Sequence, residues 1–512
     1  MFVRPEPHKK AKIVLLPLDE RPCNYDYPQW LPLPKDIDLR LPSRDILSHK
    51  KQACDPHRLE DWFLEESKDA DYAIISIDAL IFGGIVPSRL HHSSEEELLK
   101  RAKTIEKCKQ ANPHIKIYAN ELIMRCPAYS SSAEEPDYFD RWGREIWEYG
   151  ALTDQKKQGK ITSDGEEHLL SLRKSIPADI LDDFIDRRKK NLGLLKQCLI
   201  YRKKDIIDFF LIPMDDCSEY GFSSMDRREI SAFLEEEGLN EKTLMYPGAD
   251  EIGMTLLSRA LNDFYGFSPK MRLIYASELG KHQIPACEDR PIEKTLPSHV
   301  KAAGCALTDK EEEADIDLFV NLGSEFLAKD DPRVEEVYDK DRNLPAFVSQ
   351  IGASLAKKKV AGIADVAFCN AGDLKLIDEL KKQGLLYQVD GYAGWNTSSN
   401  TSGTTISELV SYFYSHDEKK KDDFLTERYL EDCLYMAEAR DEVNRKVDGL
   451  EPDLGINRFE LGNKKSELEG LTKKAMEREL KRYPPLEKRV ADFQVDFFWD
   501  RTFEVRLLVQ GK

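Results

Sequence analysis

The sequence predicts an α/β protein built on a mostly parallel sheet. Three observations carry that reading. Short apolar runs recur along the chain, helical stretches separate them, and four of the runs stop at Asp or Glu with Pro or Gly close by. Strands that alternate with helices imply parallel crossovers. The loops after the carboxyl ends of such strands face a shared crevice, so carboxylates gathered there point to a common site.

Taken in order, the strands are expected at Ile13–Leu18, Ile37–Leu41, Tyr72–Asp78, Ile115–Asn120, Ile207–Pro213, Thr243–Tyr246 and Met271–Tyr275. Arg58 to Glu66 and Glu95 to Ala111 carry helical spacing between them, and Ser94 followed by Glu97 reads as a capping box. Eight such units would close a barrel and fewer leave an open doubly wound sheet, so the N-terminal domain is read as barrel-like or doubly wound. It is expected to span residues 1–290, with a helical insertion at about 128–201 of the kind that forms a lid or substrate wall. Ile316–Asn321, Val360–Phe368 and Leu386–Tyr392 predict a second, smaller α/β domain over 291–415. Residues 416–512 read as a helical C-terminal region, with a last strand at Phe503–Val509 that returns to the body.

Size and charge narrow the function. A chain of 512 residues is too long for one ordinary core. Its formal charge of 76 − 94 = −18 argues against nucleic acid or an anionic membrane as partner. Met1–Lys12 lacks the apolar core of an export signal, and no apolar run approaches the roughly 18 residues of a spanning helix. The ten cysteines form no CxxC pair and read as free thiols in a cytoplasmic protein. HExxH, GxSxG, P-loop and GxGxxG patterns are all missing.

The chemistry therefore falls to the carboxylates. Asp215-Asp216 stands where the fifth strand opens into a loop, so both side chains can face the crevice. Two close carboxylates push their pKa values apart and supply an acid and a base at one pH. The same pair also suits a helix cap beside a solvated neighbour. Asp250-Glu251 precedes a helix start, where Asp250 reads as ligand contact or N-cap and Glu251 has its charged form favoured. Asp19, Glu20 and Arg21 follow the first strand; Arg21 fits a bidentate clamp on a substrate carboxylate or a partner for its acidic neighbours. Asp78 and Arg89 flank the Gly83-Gly84 pair after the third strand. The polar loop from Gly391 to Thr405 offers Trp395 to stack on a sugar face, with Asn396, Thr397, Asn400 and Thr401 as neutral donors and acceptors.

Seven segments resemble the bacterial family DUF4127, a domain of unknown function. They are PLDERPCN from Pro17, SIDALIFGGIVPSR from Ser76, PMDDCSEYG from Pro213, YPGADEIG from Tyr246, EDRP from Glu288, DVAFCNAGD from Asp365 and YAGWNTSSNTSGT from Tyr392. The resemblance implies a cytoplasmic protein associated with sugar uptake and amino-sugar use. Residues and resemblance together lead to a cytoplasmic glycoside hydrolase acting on small, imported sugars, N-acetylated ones included. Asp215 and Asp216 form its catalytic pair, the other named residues bind the carbohydrate, and no cofactor is needed. Two alternatives stay open. The same carboxylates could hold Mg²⁺ or Mn²⁺ in a metal-dependent hydrolase, or the chain could bind sugar without turnover. Oligomeric state is not readable from the sequence.

Overall fold

The computed structural model describes residues 10–454 and 456–511. The segment read for an export signal, Met1–Lys12, lies outside the described residues up to position 9.

The first sheet is made of β1 (Ala11–Leu16), β2 (Ile37–Arg40), β3 (Tyr72–Ser76), β4 (Lys116–Asn120), β5 (Phe209–Met214) and β6 (Thr243–Pro247). Its order is β2-β1-β3-β4-β5-β6, and every pairing is parallel. β3 and β5 are buried along their whole length, as continuous apolar runs must be when helices cover both faces of a sheet. β2 and β6 are edges, so the sheet is open and doubly wound and does not close into a barrel.

The strand expected as the seventh of this sheet belongs elsewhere. β7 (Lys270–Tyr275) pairs with β8 (Ala306–Leu307) and β9 (Ile316–Asn321), and β10 (Val360–Asp365) and β11 (Gly391–Ala393) complete a second parallel sheet of order β11-β10-β9-β7-β8. This sheet therefore starts ahead of the division expected near residue 290. Each sheet places its second strand outside its first and runs the remaining strands off in sequence on the other side. That reversal beside the first strand opens a crevice at the carboxyl ends.

Local signals explain the helices. The capping box at Ser94 is complete: its Oγ accepts from Glu97 N at 3.2 Å, and Glu97 Oε2 accepts from Ser94 N at 2.8 Å. The insertion between β4 and β5 forms the helices Phe139–Lys157, Ser163–Ser175 and Ala178–Lys203. The last serves two cores. Leu181 and Phe184 pack with Phe139 and Ile146 inside the insertion, while Leu195, Cys198 and Leu199 pack under the first sheet.

Two helices join the sheets. Ile252–Tyr265 follows β6 and Ser398–Ser415 follows β11. The second is buried from Ser398 to Tyr414. It touches the first at Gly403, where a Cβ would strike the Glu251 side chain, and further along where Tyr414 stacks on Tyr265 at 4.2 Å. One continuous apolar core runs from Ile13 through both sheets to Leu507.

The C-terminal region is helical from Glu418 to Leu454 and over Lys465–Leu480. Its last strand returns to the body as expected, with Val505 and Leu507 in the main core, but pairs outside both sheets. β13 (Arg506–Gly511) pairs antiparallel with β12 (Val490–Asp496) as a separate hairpin and reaches the body through the Arg506–Asp26 ion pair at 3.0 Å. Among the described residues no helix is long and apolar enough to cross a membrane.

Candidate functional site

The carboxyl ends of the two sheets meet around a cavity of about 280 Å³. The first sheet supplies Arg21 after β1, Arg89 after β3, Arg125 and Glu134 after β4, Asp215 and Asp216 after β5, and Asp250 after β6. The second sheet supplies Glu288, Asn370, Asn396, Thr397 and Asn400, and the C-terminal region adds Phe459, Arg501 and Phe503. The ionisable groups of the wall are thus mostly five carboxylates and four guanidiniums, and no lysine or histidine lines it among the described residues.

Asp215 and Asp216 are held by different arginines. Asp215 accepts from Arg89 Nη2 at 2.7 Å, and Asp216 accepts from Arg125 Nη1 at 3.0 Å. Burial, followed by the charge of Asp216, pushes the Asp215 carboxyl up to about 7 against the pull of Arg125 and Arg89. Asp216 has φ 38°, and Cys287, Asn370 and Asn396 on the same wall also have positive φ. Four of the ten described non-glycine residues in that region of backbone space therefore gather at one cavity, as strained residues do at functional sites.

Asp250 joins the sheets across the cleft. Its carboxylate accepts from Arg21 Nη2 at 2.6 Å, from Asn24 Nδ2 at 3.1 Å and from Asn396 Nδ2 at 3.3 Å, and its backbone N donates to Asn400 Oδ1 at 3.1 Å. It is not the cap of the helix that follows; Glu251 holds that place, without a side-chain cap bond. Arg21 is spent on Asp250 and on Asp19, whose carboxylate it meets at 2.6 Å. Asp19 is thus a buried support for Arg21 and not a wall residue; burial raises it to about 6 despite Arg21. Thr397 caps the helix Ser398–Ser415 by accepting from Asn400 N at 3.4 Å.

Besides Asp19, four expected binding residues stand apart from the cavity. Glu20 turns to the C-terminal region, accepting from Ser48 Oγ at 2.8 Å, Lys50 N at 3.0 Å and the Trp499 indole. Asp78 is buried against Leu122 N at 3.0 Å, and burial lifts it to about 6. Glu251 lies under the wall, accepting from Ala249 N at 3.0 Å, and burial lifts it to about 8. Trp395 is only 3% exposed. Its indole donates to Thr404 Oγ1 at 3.1 Å and its ring meets Tyr27 edge-on at 5.5 Å, so it has no face for a sugar. The polar loop that contained it is largely helix. Its Ser402, Thr404 and Thr405 hydroxyls donate to carbonyls one turn back, which is how a buried helix tolerates them. Thr401 likewise bonds the Trp395 backbone.

The exposed aromatic surface at the cavity comes instead from Tyr129 at 47% and Phe459 at 42%. Glu134, Arg501, Tyr129 and Phe459 carry no sequence signal of their own, because the insertion and the C-terminal region bring them in from outside the strand-end pattern; Arg125 sits on the loop after β4, where the pattern reads carboxylates only. Glu288 was visible only inside the EDRP segment. It accepts from Ser399 N at 2.9 Å and Ser399 Oγ at 2.8 Å, and burial raises it to about 7. Glu134 behaves in the opposite way. Burial would raise it, yet Arg501, Arg125, Arg89 and Arg21 hold it well below the usual carboxylate range. Among the described residues no group of three or more His, Cys, Asp or Glu side chains is placed to share a metal ion.

An open, doubly wound α/β protein with a polar cavity between the carboxyl ends of two parallel sheets is a ligand-site architecture. The chain belongs to the family described as "Protein of unknown function (DUF4127)", whose model matches residues 13–508. No curated protein matches it in sequence.

Proposed function

We propose that this chain is a glycoside hydrolase of the cytoplasm, acting on small sugars, with Asp215 as proton donor and Asp216 as its ionised neighbour. One observation carries the reading: a carboxyl held up at about 7 opens onto a small polar cavity beside a second carboxylate. A proton donor with a pKa near working pH is what leaving-group protonation requires. In this scheme Asp215 gives its proton to the glycosidic oxygen as the bond to the anomeric carbon breaks. With an N-acetylated sugar, Asp216 orients the acetamido group so that its oxygen attacks the anomeric carbon, and water later opens the resulting ring. Asn396 and Thr397 supply neutral contacts to hydroxyls.

The test is a panel of nitrophenyl glycosides, run with and without EDTA, on the wild type and Asp215→Asn. The reading expects EDTA-resistant release of nitrophenol that falls by about 10²-fold or more in the variant, the usual scale for loss of a general acid. Turnover abolished by EDTA and restored by Mg²⁺ or Mn²⁺ would assign the carboxylates to a metal instead. Sugar binding without turnover would leave a binding protein.

A further inference from the structure

The arginines of the cavity point to more than support for Asp215. Three of them converge on one carboxylate from the insertion. Glu134 Oε2 accepts from Arg125 Nη2 at 3.2 Å and from Arg89 Nη1 at 3.5 Å, while its other oxygen is met by Arg501. Each of the three also has a carboxylate partner elsewhere. Arg89 has Asp215, Arg125 has Glu135 at 2.7 Å, and Arg501 has Glu504 at 2.7 Å. Glu134 is therefore the partner common to all three, Glu135 being shared by Arg89 and Arg125 alone, and the three guanidiniums stay paired if Glu134 leaves. Its own side chain is 15% exposed, against 3%, 9% and 4% for Arg89, Arg125 and Arg501, so Glu134 is the part of the cluster open to the cavity.

We propose that Arg89, Arg125 and Arg501 form a binding site for the anionic group, phosphate or carboxylate, of a sugar ligand, and that the Glu134 carboxylate holds the place of that group. A guanidinium presents N–H donors that match carboxylate and phosphate oxygens, and one nitrogen from each of three arginines converges on this point. A phosphate, with three free oxygens, would engage all three. The field agrees with the geometry, since the arginines hold Glu134 well below the usual carboxylate range although it is largely enclosed. Arg89 spans the two functions: one nitrogen faces Glu134 and another holds Asp215. An anion bound in the cradle thus sits one guanidinium away from the proposed acid, with the rest of the ligand directed toward Asp215 and Asp216.

This inference rests on reading the cavity as a sugar site but not on hydrolysis, so its test measures binding. Inorganic phosphate, glucose, glucose 6-phosphate and glucuronate are titrated calorimetrically into the full chain and into Glu134→Gln. The charged sugars are expected to bind at least about tenfold more tightly than glucose, the worth of a charge-assisted hydrogen bond. Glu134→Gln removes the competing charge and is expected to tighten phosphate and both charged sugars by a similar factor while leaving glucose unchanged. The preference between glucose 6-phosphate and glucuronate tells phosphate from carboxylate. Equal affinity for charged and neutral sugars, no anion binding at all, or anion binding that Glu134→Gln weakens or leaves unchanged would overturn the proposal. If the variant does not fold, the wild-type comparison decides alone. Anion binding that persists while every glycoside stays intact would reject the hydrolase reading and keep this one.

Discussion

Trp395 and Tyr129 show how position decides the role of an aromatic residue. Trp395 sits in a polar, glycine-rich stretch that reads as a ligand loop, yet its indole is enclosed by Tyr27 and Thr404. Tyr129 lies in the insertion, carries no motif, and is nearly half exposed on the cavity wall. The two substitutions should separate cleanly. Trp395→Ala is expected to cost about 3–5 kcal/mol of stability, the range for emptying a buried aromatic site, and to lower the melting temperature. Tyr129→Ala should leave the melting temperature unchanged and raise KM several-fold, with kcat unaltered. Paired melting and steady-state measurements check both. A Tyr129 variant with unchanged KM would remove the ring from the ligand's path. The acids follow the same logic. Asp215, Asp216 and Asp250 were legible because each ends a strand in a parallel fold. Asp78 and Glu251 end strands too but turn inward to backbone N–H groups. A strand end fixes where a residue is, not which way its side chain leaves.

At the scale of elements, most strands were legible because buried parallel strands are continuous apolar runs. β8 gives no signal because it has two residues and no run to see, and β7 reads as part of the first sheet but pairs in the second, because its partners lie later in the chain. The first turns of the helix Ser398–Ser415 read as loop for a chemical reason. They are Ser, Asn, Thr and Gly, which favour loops in exposed chain but suit a helix packed tightly against another. Gly403 makes that contact possible. Gly403→Ala places a methyl group against Glu251 and Thr255, and overpacking of this kind typically costs about 1–3 kcal/mol. Because the same helix carries Asn400 and is capped by Thr397, the variant should also loosen the cavity. Chemical denaturation with a substrate titration would check this. A Gly403→Ala protein as stable as the wild type would mean that the two helices are not rigidly docked.

At the scale of the whole molecule, an excess of acid is folded inward. Burial raises Asp215, Glu288, Asp365, Asp390 and Asp432 to about 7 and Glu251 to about 8. An acid whose folded pKa lies above its unfolded value keeps its proton in the fold and loses it in the coil. Folding then takes up protons, and stability falls as pH rises from the ordinary carboxylate range through 7 and 8. Glu134 acts in the opposite sense: its folded pKa is depressed, so its contribution is present above the unfolded value of 4.5 and is lost as pH falls further. The six raised acids outweigh Glu134, so the sum predicts highest stability near the ordinary carboxylate range, about pH 4 to 5, and a lower melting temperature at pH 8. Thermal melts across that range test it, and a melting temperature that holds or rises toward pH 8 would contradict it.

The Asp215 carboxyl, largely enclosed on the cavity wall with its side chain 19% exposed, is expected to keep its proton near neutral pH because of that enclosure and the neighbouring charge of Asp216. Isotope-edited carboxyl NMR reads this without any substrate. Asp215 is expected to titrate near 7 in the wild type. In Asp216→Asn it should titrate at clearly lower pH, because the neighbouring negative charge is gone while Arg89 and Arg125 remain. An Asp215 that titrates in the ordinary carboxylate range near 3.8, or that does not move when Asp216 is neutralised, would contradict the account.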